Sequence, residues 1–152
     1  MRRGGWRRLA RASAGAAALE FALLAPVFIA LLFGTVEFGR LLWTWQALQE
    51  TAGAGARCVA IAQGTSPTGP CASGGAYSQS TAQSYVEGIA GQWGVALASG
   101  DITPTTNASC GGTSGFAQVS ITKSFVSMAP LAFFFPADGV SLTASACYPQ
   151  NS

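Results

Sequence analysis

Residues 16–36 read AAALEFALLAPVFIALLFGTV, an apolar run in which Glu20 is the single ionisable residue. As an α-helix rising about 1.5 Å per residue, this run would be about 30 Å long, which matches the hydrocarbon core of a bilayer. Hydrophobic residues make up 49% of the chain and charged residues 9%, against about 25% charged residues in ordinary soluble domains. The run and the composition together predict one transmembrane helix.

Basic residues are concentrated in a leader, residues 1–15, that precedes the apolar run. Five of the eight basic residues of the chain lie there: Arg2, Arg3, Arg7, Arg8 and Arg11. By the positive-inside rule, the N-terminus stays in the cytoplasm and everything after residue 36 is exported. Because the basic residues are not spread over a folded face, we expect no nucleic-acid binding.

The residue inventory argues against an enzyme. The chain contains no histidine, which is the commonest general base and metal ligand. We found no cluster of nucleophile, base or metal ligands, so we expect no catalytic residues, no metal, no cofactor and no small-molecule substrate.

All four cysteines follow the apolar run, and none forms a CxxC motif: Cys58, Cys71, Cys110 and Cys147. Their even number on the exported side favours two disulfides, the alternative being four free thiols in a cytoplasmic protein. Four cysteines allow three pairings. We favour a bond from Cys58 to Cys71, which would tie the stem to the following loop, and one from Cys110 to Cys147.

The charge of Glu20 within the apolar run needs an explanation, since a charged side chain at the centre of a membrane helix costs about 3 kcal/mol. Glu20 lies one turn into the run, where the helix dipole favours an anion, so it can be a simple capping residue. Alternatively, cleavage between Gly15 and Ala16 would create an α-amino group and make Glu20 the fifth residue. That amine can pair with Glu20 of the same chain or of a neighbour, which would fix the axial register of a filament.

The N-terminal third of the chain resembles a known family. GAAALEF, residues 15–21, has the form of a type IV prepilin processing site, and residues 15–60 more narrowly resemble the TadE-like family. The family elements are an A-x-E-F-A-L-x-x-P core ending at Pro26, an F-G-x-x-E-x-G-R motif at residues 33–40, and an A-R motif. In this chain the residues of the last two motifs are Phe33, Gly34, Glu37, Gly39, Arg40, Ala56 and Arg57.

The resemblance implies a pseudopilin-like component of the tight adherence, Flp-type, pilus system. It implies cleavage after Gly15 by a prepilin peptidase, and assembly through Glu20 and Phe21 with other pilin or pseudopilin subunits. The alternative is an uncleaved single-pass anchor that carries an envelope binding module.

Beyond the membrane, apolar residues recur every three or four positions and predict an amphipathic stem, residues 37–63, continuous with the membrane helix from Ala17. The predicted apolar face consists of Phe38, Leu41, Leu42, Trp45, Leu48, Ala52, Ala56 and Val59, with Glu37 and Arg40 on other faces. Trp43 and Trp45 fall where interfacial aromatic belts lie. Pro26 predicts a kink, or is simply a tolerated membrane proline.

Residues 64–152 predict a small exported α+β domain, with an antiparallel sheet and one packed helix. We expect a loop over 63–80, a helix over 81–98, and strands over 101–106, 115–126 and 139–147. Between the last two strands, Phe133–Phe135 predict either a plug over the sheet or an exposed contact patch.

Overall fold

The computed structural model describes the backbone of residues 5–128 and 139–150, and the side chains of those residues from Gly15 onwards. Its first element is one continuous helix, α1, over Gly5–Ala62. The helix begins twelve residues before the predicted start at Ala17 and continues through Pro26. The kink at Pro26 stays a prediction, whereas the joining of membrane segment and stem in one helix is confirmed.

No described residue of the rest of the chain covers the apolar part of α1. The helix is long and apolar enough to cross a membrane, and none of its most apolar window is buried within the protein. A core helix of a soluble protein would have buried that window. The chain therefore has the features of a single-pass membrane protein.

The stem, which in the structure ends at Ala62, packs on the C-terminal domain along one face. Leu48, Ala52, Ala56 and Val59 are fully buried, as predicted. At least half of the predicted apolar face therefore packs on the domain, whereas Phe38, Leu42 and Trp45 at its membrane end are exposed. The buried row continues there through Leu41 and Glu37, which precede Leu48 by seven and eleven positions and so share its face of the helix.

The segment between the stem and the second helix is more ordered than the predicted loop. It contains a short hairpin of two antiparallel strands with two residues each, β1 (Ala72–Ser73) and β2 (Ala76–Tyr77). Helix α2 then runs over Gln79–Gln92, with Ser78 as its N-cap. It ends earlier than the predicted residue 98 because Gly94 adopts a φ of +76°, and Val95 donates a hydrogen bond back to the Ala90 carbonyl.

Three antiparallel strands complete the domain in the order β3-β4-β5. They span Ile102–Cys110, Thr113–Phe125 and Val140–Pro149, so all three predicted strands are present. Strand β3 is longer than predicted because it passes Pro104, which an edge strand tolerates, and then a register shift at Asn107, whose φ is +54°.

One face of this sheet lies on the stem and α2. Four alternating residues of β4, Ala117, Val119, Ile121 and Phe125, are buried, whereas Ser141, Thr143 and Ser145 of β5 are exposed. A long apolar helix followed by a small antiparallel sheet and a second helix confirms the α+β class. Phe133–Phe135 lie outside the described residues, so both interpretations of that triplet stay predictions.

Candidate functional site

The predicted processing site lies on the uncovered part of α1. Gly15, Ala16, Glu20 and Phe21 are all exposed, and Phe21 retains 72% of its surface. A Cβ added at Gly15 would meet no atom within 4 Å. The described residues of the C-terminal domain therefore do not cover this segment, which is open to lipid or to another protein.

Glu20 follows Ala16 by four positions, which places it about 6 Å further along the same helix face. Within residues 15–128 and 139–150, Glu20 takes part in no ion pair. An α-amino group at Ala16 would be within reach of its carboxylate along that face.

A second cluster lies at the junction of the membrane segment and the stem. Glu37 is 4% exposed, and its two carboxylate oxygens accept hydrogen bonds from Nη1 of Arg40 at 3.0 and 3.1 Å. The backbone N–H of Met128 donates to Oε1 of Glu37 at 3.2 Å. The Arg40 guanidinium also lies over the Phe125 ring, 5.4 Å from its centroid. These contacts fasten the end of β4 to the membrane end of the stem.

The same end of the domain is fastened a second time by two tryptophans. Nε1 of Trp43 donates a hydrogen bond to the Trp93 carbonyl at 3.3 Å, and the two rings meet edge to face with centroids 5.7 Å apart. Trp93 is the C-terminal cap of α2. Both α2 and β4 therefore end beside the first turns of the stem.

The two disulfides lie further from the membrane segment. Cys58 pairs with Cys71 and Cys110 with Cys147, with Cα atoms 5.8 and 6.5 Å apart. This is the pairing favoured from the sequence. The first bond joins the last turns of the stem to the hairpin, and the second joins β3 to β5.

The open clefts of the domain do not bring together metal-binding side chains among the described residues. A cleft of about 320 Å³ lies between the end of the stem and α2, with Arg57, Tyr85 and Pro70 in its walls. Among the residues whose side chains are described, no three histidine, cysteine or acidic side chains are grouped as metal ligands.

Residues 15–57 match the model of the family described as TadE-like protein. The match confirms the resemblance drawn from the sequence. It begins at the predicted cleavage site and ends at Arg57, so the TadE-like segment comprises the membrane helix and most of the stem. No curated protein and no solved structure matches the chain.

The structure gives two residues of the TadE-like segment a role that the sequence analysis missed. Glu37 was assigned to a polar face, yet it is buried and receives the amide of Met128. Its spacing of four and eleven positions from Leu41 and Leu48 was the available signal, because those intervals return to one helix face. The pairing of Trp43 with Trp93 had no such signal, since it depends on where α2 ends.

Proposed function

We propose that the chain is a pseudopilin-like, membrane-anchored component of tight adherence pilus assembly. The TadE-like match together with the apolar N-terminal helix fits a membrane-anchored component of pilus assembly. The role is structural and not catalytic. In this proposal the leader lies in the cytoplasm, α1 crosses the inner membrane, and the domain is exported.

The observation that carries the proposal is a bilayer-length helix that the exported domain leaves bare. The helix continues into the domain without a break, so the domain is rigidly joined to the membrane segment. Such a helix can leave lipid and pack against the helices of other pilin or pseudopilin subunits with no rearrangement of the domain.

Processing after Gly15 by a prepilin peptidase is the first step of the proposal. Mass spectrometry of the protein extracted from membranes of cells that contain the peptidase is expected to show a chain beginning at Ala16. Gly15→Val is expected to block the cut without disturbing the fold, because no atom lies near a Cβ there. Gly34→Ala is the matched control, since position 34 is equally free. A wild-type chain with its leader intact would refute the processing step.

Glu20 then sets the position of the subunit. Glu20→Ala is expected to insert into the membrane and to be cleaved normally, yet to abolish assembly, because the new amine at Ala16 would lack its carboxylate. Glu50→Ala is the control, since Glu50 is an exposed acid on the stem. Unchanged piliation by Glu20→Ala would instead favour the alternative, an uncleaved anchor for an envelope binding module.

A further inference from the structure

We infer that the exported domain is seated directly on the phospholipid bilayer through its membrane end, and is not held away from the lipid on a free stem. The seat is formed by Trp43 of the stem, Trp93 at the end of α2, and Val126 and Met128 after β4. This inference concerns residues after the membrane span, so it does not depend on cleavage at Gly15.

The height of Trp43 above the bilayer follows from the helix. Trp43 lies seven residues after Val36, which places its Cα about 10 Å beyond the end of the apolar run. Headgroups add about 5 to 8 Å to each side of the hydrocarbon core. Side chains of a helix lean towards its N-terminus, here towards the membrane, so the indole of Trp43 reaches headgroup level.

Contacts described above hold the other three residues at the same height. Trp93 touches Trp43 through its carbonyl and its ring. The amide of Met128 touches Glu37, the first residue after the apolar run. Val126 follows Phe125, whose ring lies under the guanidinium of Arg40. Three separate parts of the chain therefore reach the edge of the bilayer.

The exposed surface at this end is apolar. Trp43 is 58% exposed, Trp93 37%, Val126 58% and Met128 82%. Tryptophan favours the membrane interface, where its ring is in apolar surroundings and its N–H remains near polar groups. The charged residues that contact this end, Glu37 and Arg40, are paired with each other, so the cost of bringing them near lipid is reduced.

This surface is continuous with the membrane helix, which indicates that lipid and not a protein contacts it. A protein partner at this height would have to displace the headgroups that surround α1 itself. An open cleft of about 470 Å³ between Val36, Arg40, Trp43 and Trp93 faces the same level. Lipid is therefore the ligand that this end of the domain fits.

Tryptophan fluorescence tests the seat on the full chain with both disulfides formed. The four tryptophans, Trp6, Trp43, Trp45 and Trp93, are replaced by phenylalanine, and one new tryptophan is added. Val126→Trp places it in the seat, off the stem. Tyr148→Trp is the matched control, because Tyr148 is also half-exposed but lies about 27 Å along β5 from the membrane end.

Both proteins are placed in phosphatidylcholine vesicles, with and without bromine on the upper acyl chains. Bromolipid is expected to reduce the fluorescence of Val126→Trp about twofold or more and to leave that of Tyr148→Trp nearly unchanged. Equal fluorescence of Val126→Trp in the two lipids would overturn the inference. A change in its fluorescence with the protein-to-lipid ratio alone would assign this surface to a second copy and would also overturn it.

Comparison of the wild-type protein with Trp93→Phe provides a second measurement, in which the other three tryptophans are left in place. The fluorescence lost on Trp93→Phe is expected to belong to the part that bromolipid quenches in the wild type, together with the fluorescence of Trp43. If Trp93→Phe removes only fluorescence that bromolipid does not quench, the domain is not seated on the lipid.

Discussion

The carboxylate of Glu37 and the backbone amide of Met128 are joined by a 3.2 Å hydrogen bond across 91 positions of the chain. Glu37 is the first residue after the apolar run, and Met128 follows the longest strand of the sheet. The bond therefore links the start of the stem to the residues that follow β4. A buried acceptor that also holds a cation is costly to remove, because its partners lose their hydrogen bonds together.

Removal of the Glu37 carboxylate is expected to destabilise the domain. We expect Glu37→Ala to lower the free energy of unfolding by about 1–3 kcal/mol, since the Met128 amide and Arg40 then lack their acceptor. Urea unfolding in detergent, followed by tryptophan fluorescence, measures the change. Glu50→Ala is the control and is expected to stay within about 0.5 kcal/mol of wild type, as exposed substitutions do. Equal effects of the two would contradict the role given to Glu37.

Gly55 lies where the stem packs closely against α2 and the sheet. A Cβ at Gly55 would lie 2.7 Å from Cγ2 of Val86 and 3.4 Å from both methyl groups of Val119. Valine has a stiff side chain, so we expect Gly55→Ala to cost about 1–3 kcal/mol through overpacking.

At Gly53, two residues before Gly55, replacement by alanine is expected to have the opposite effect on stability. No atom lies within 4 Å of a Cβ at Gly53, so Gly53→Ala is expected to stabilise the helix by up to about 1 kcal/mol. The same urea measurement applies to both variants. Stabilisation by Gly55→Ala would mean that the stem and α2 are not packed this tightly.

Asp101 is expected to make stability depend on pH. Its pKa lies below the ordinary value of 3.8, first because the Ala98 backbone N–H donates to its carboxylate, and then because Lys123 does. A carboxyl with a lowered folded pKa stabilises the fold above its unfolded pKa, and that stability is lost as the pH falls through the folded pKa.

The measurement for Asp101 is the urea midpoint between about pH 5 and pH 2. We expect it to fall more steeply for wild type than for Asp101→Asn. Lys123→Met is expected to retain part of the dependence, because the Ala98 N–H remains. Identical profiles of wild type and Asp101→Asn would rule out the contribution.

The two disulfides are expected to differ in their contributions to stability. They close chain separations of 13 and 37 residues, and a longer closed loop restricts the unfolded chain more. Double alanine replacement of Cys58 and Cys71 is expected to cost about 3 kcal/mol, and that of Cys110 and Cys147 about 4 kcal/mol. Urea unfolding of each double variant, with the other bond intact, checks the order. A reversed order would show that the loop model does not hold here.

The membrane helix was predictable from the length of its apolar run, and the stem, β4 and β5 were predictable from their periodic patterns. A run of 21 residues with a single ionisable side chain is typical of a membrane helix, and β5 alternates apolar and hydroxyl side chains from Val140 to Ala146. The end of α2 was less predictable. Apolar spacing continued to Leu97, but the left-handed turn at Gly94 stopped the helix.

The membrane end of the stem was not predictable from its apolar residues alone. Phe38, Leu42 and Trp45 have the spacing of a packing face, but they are exposed. The sheet instead receives the face of Glu37, because Met128 and Arg40 satisfy that carboxylate there. Which of two adjacent faces of the stem packs on the sheet depends on such long-range contacts. The sequence of one helix does not contain them.

Because β5 is the last strand of the chain, the hydrophobic core can be completed only after β5 has been synthesised. Leu142 and Ala144 of β5 belong to the core that contains Leu48 of the stem. Ribosomes add roughly 5–20 residues per second, so these partners follow Leu48 by roughly 5 to 20 s. During that interval the stem has emerged but lacks its cover, and its row of small apolar residues is open to other chains. A pause in synthesis before residue 140 prolongs the interval in which this row lacks its partners from β5.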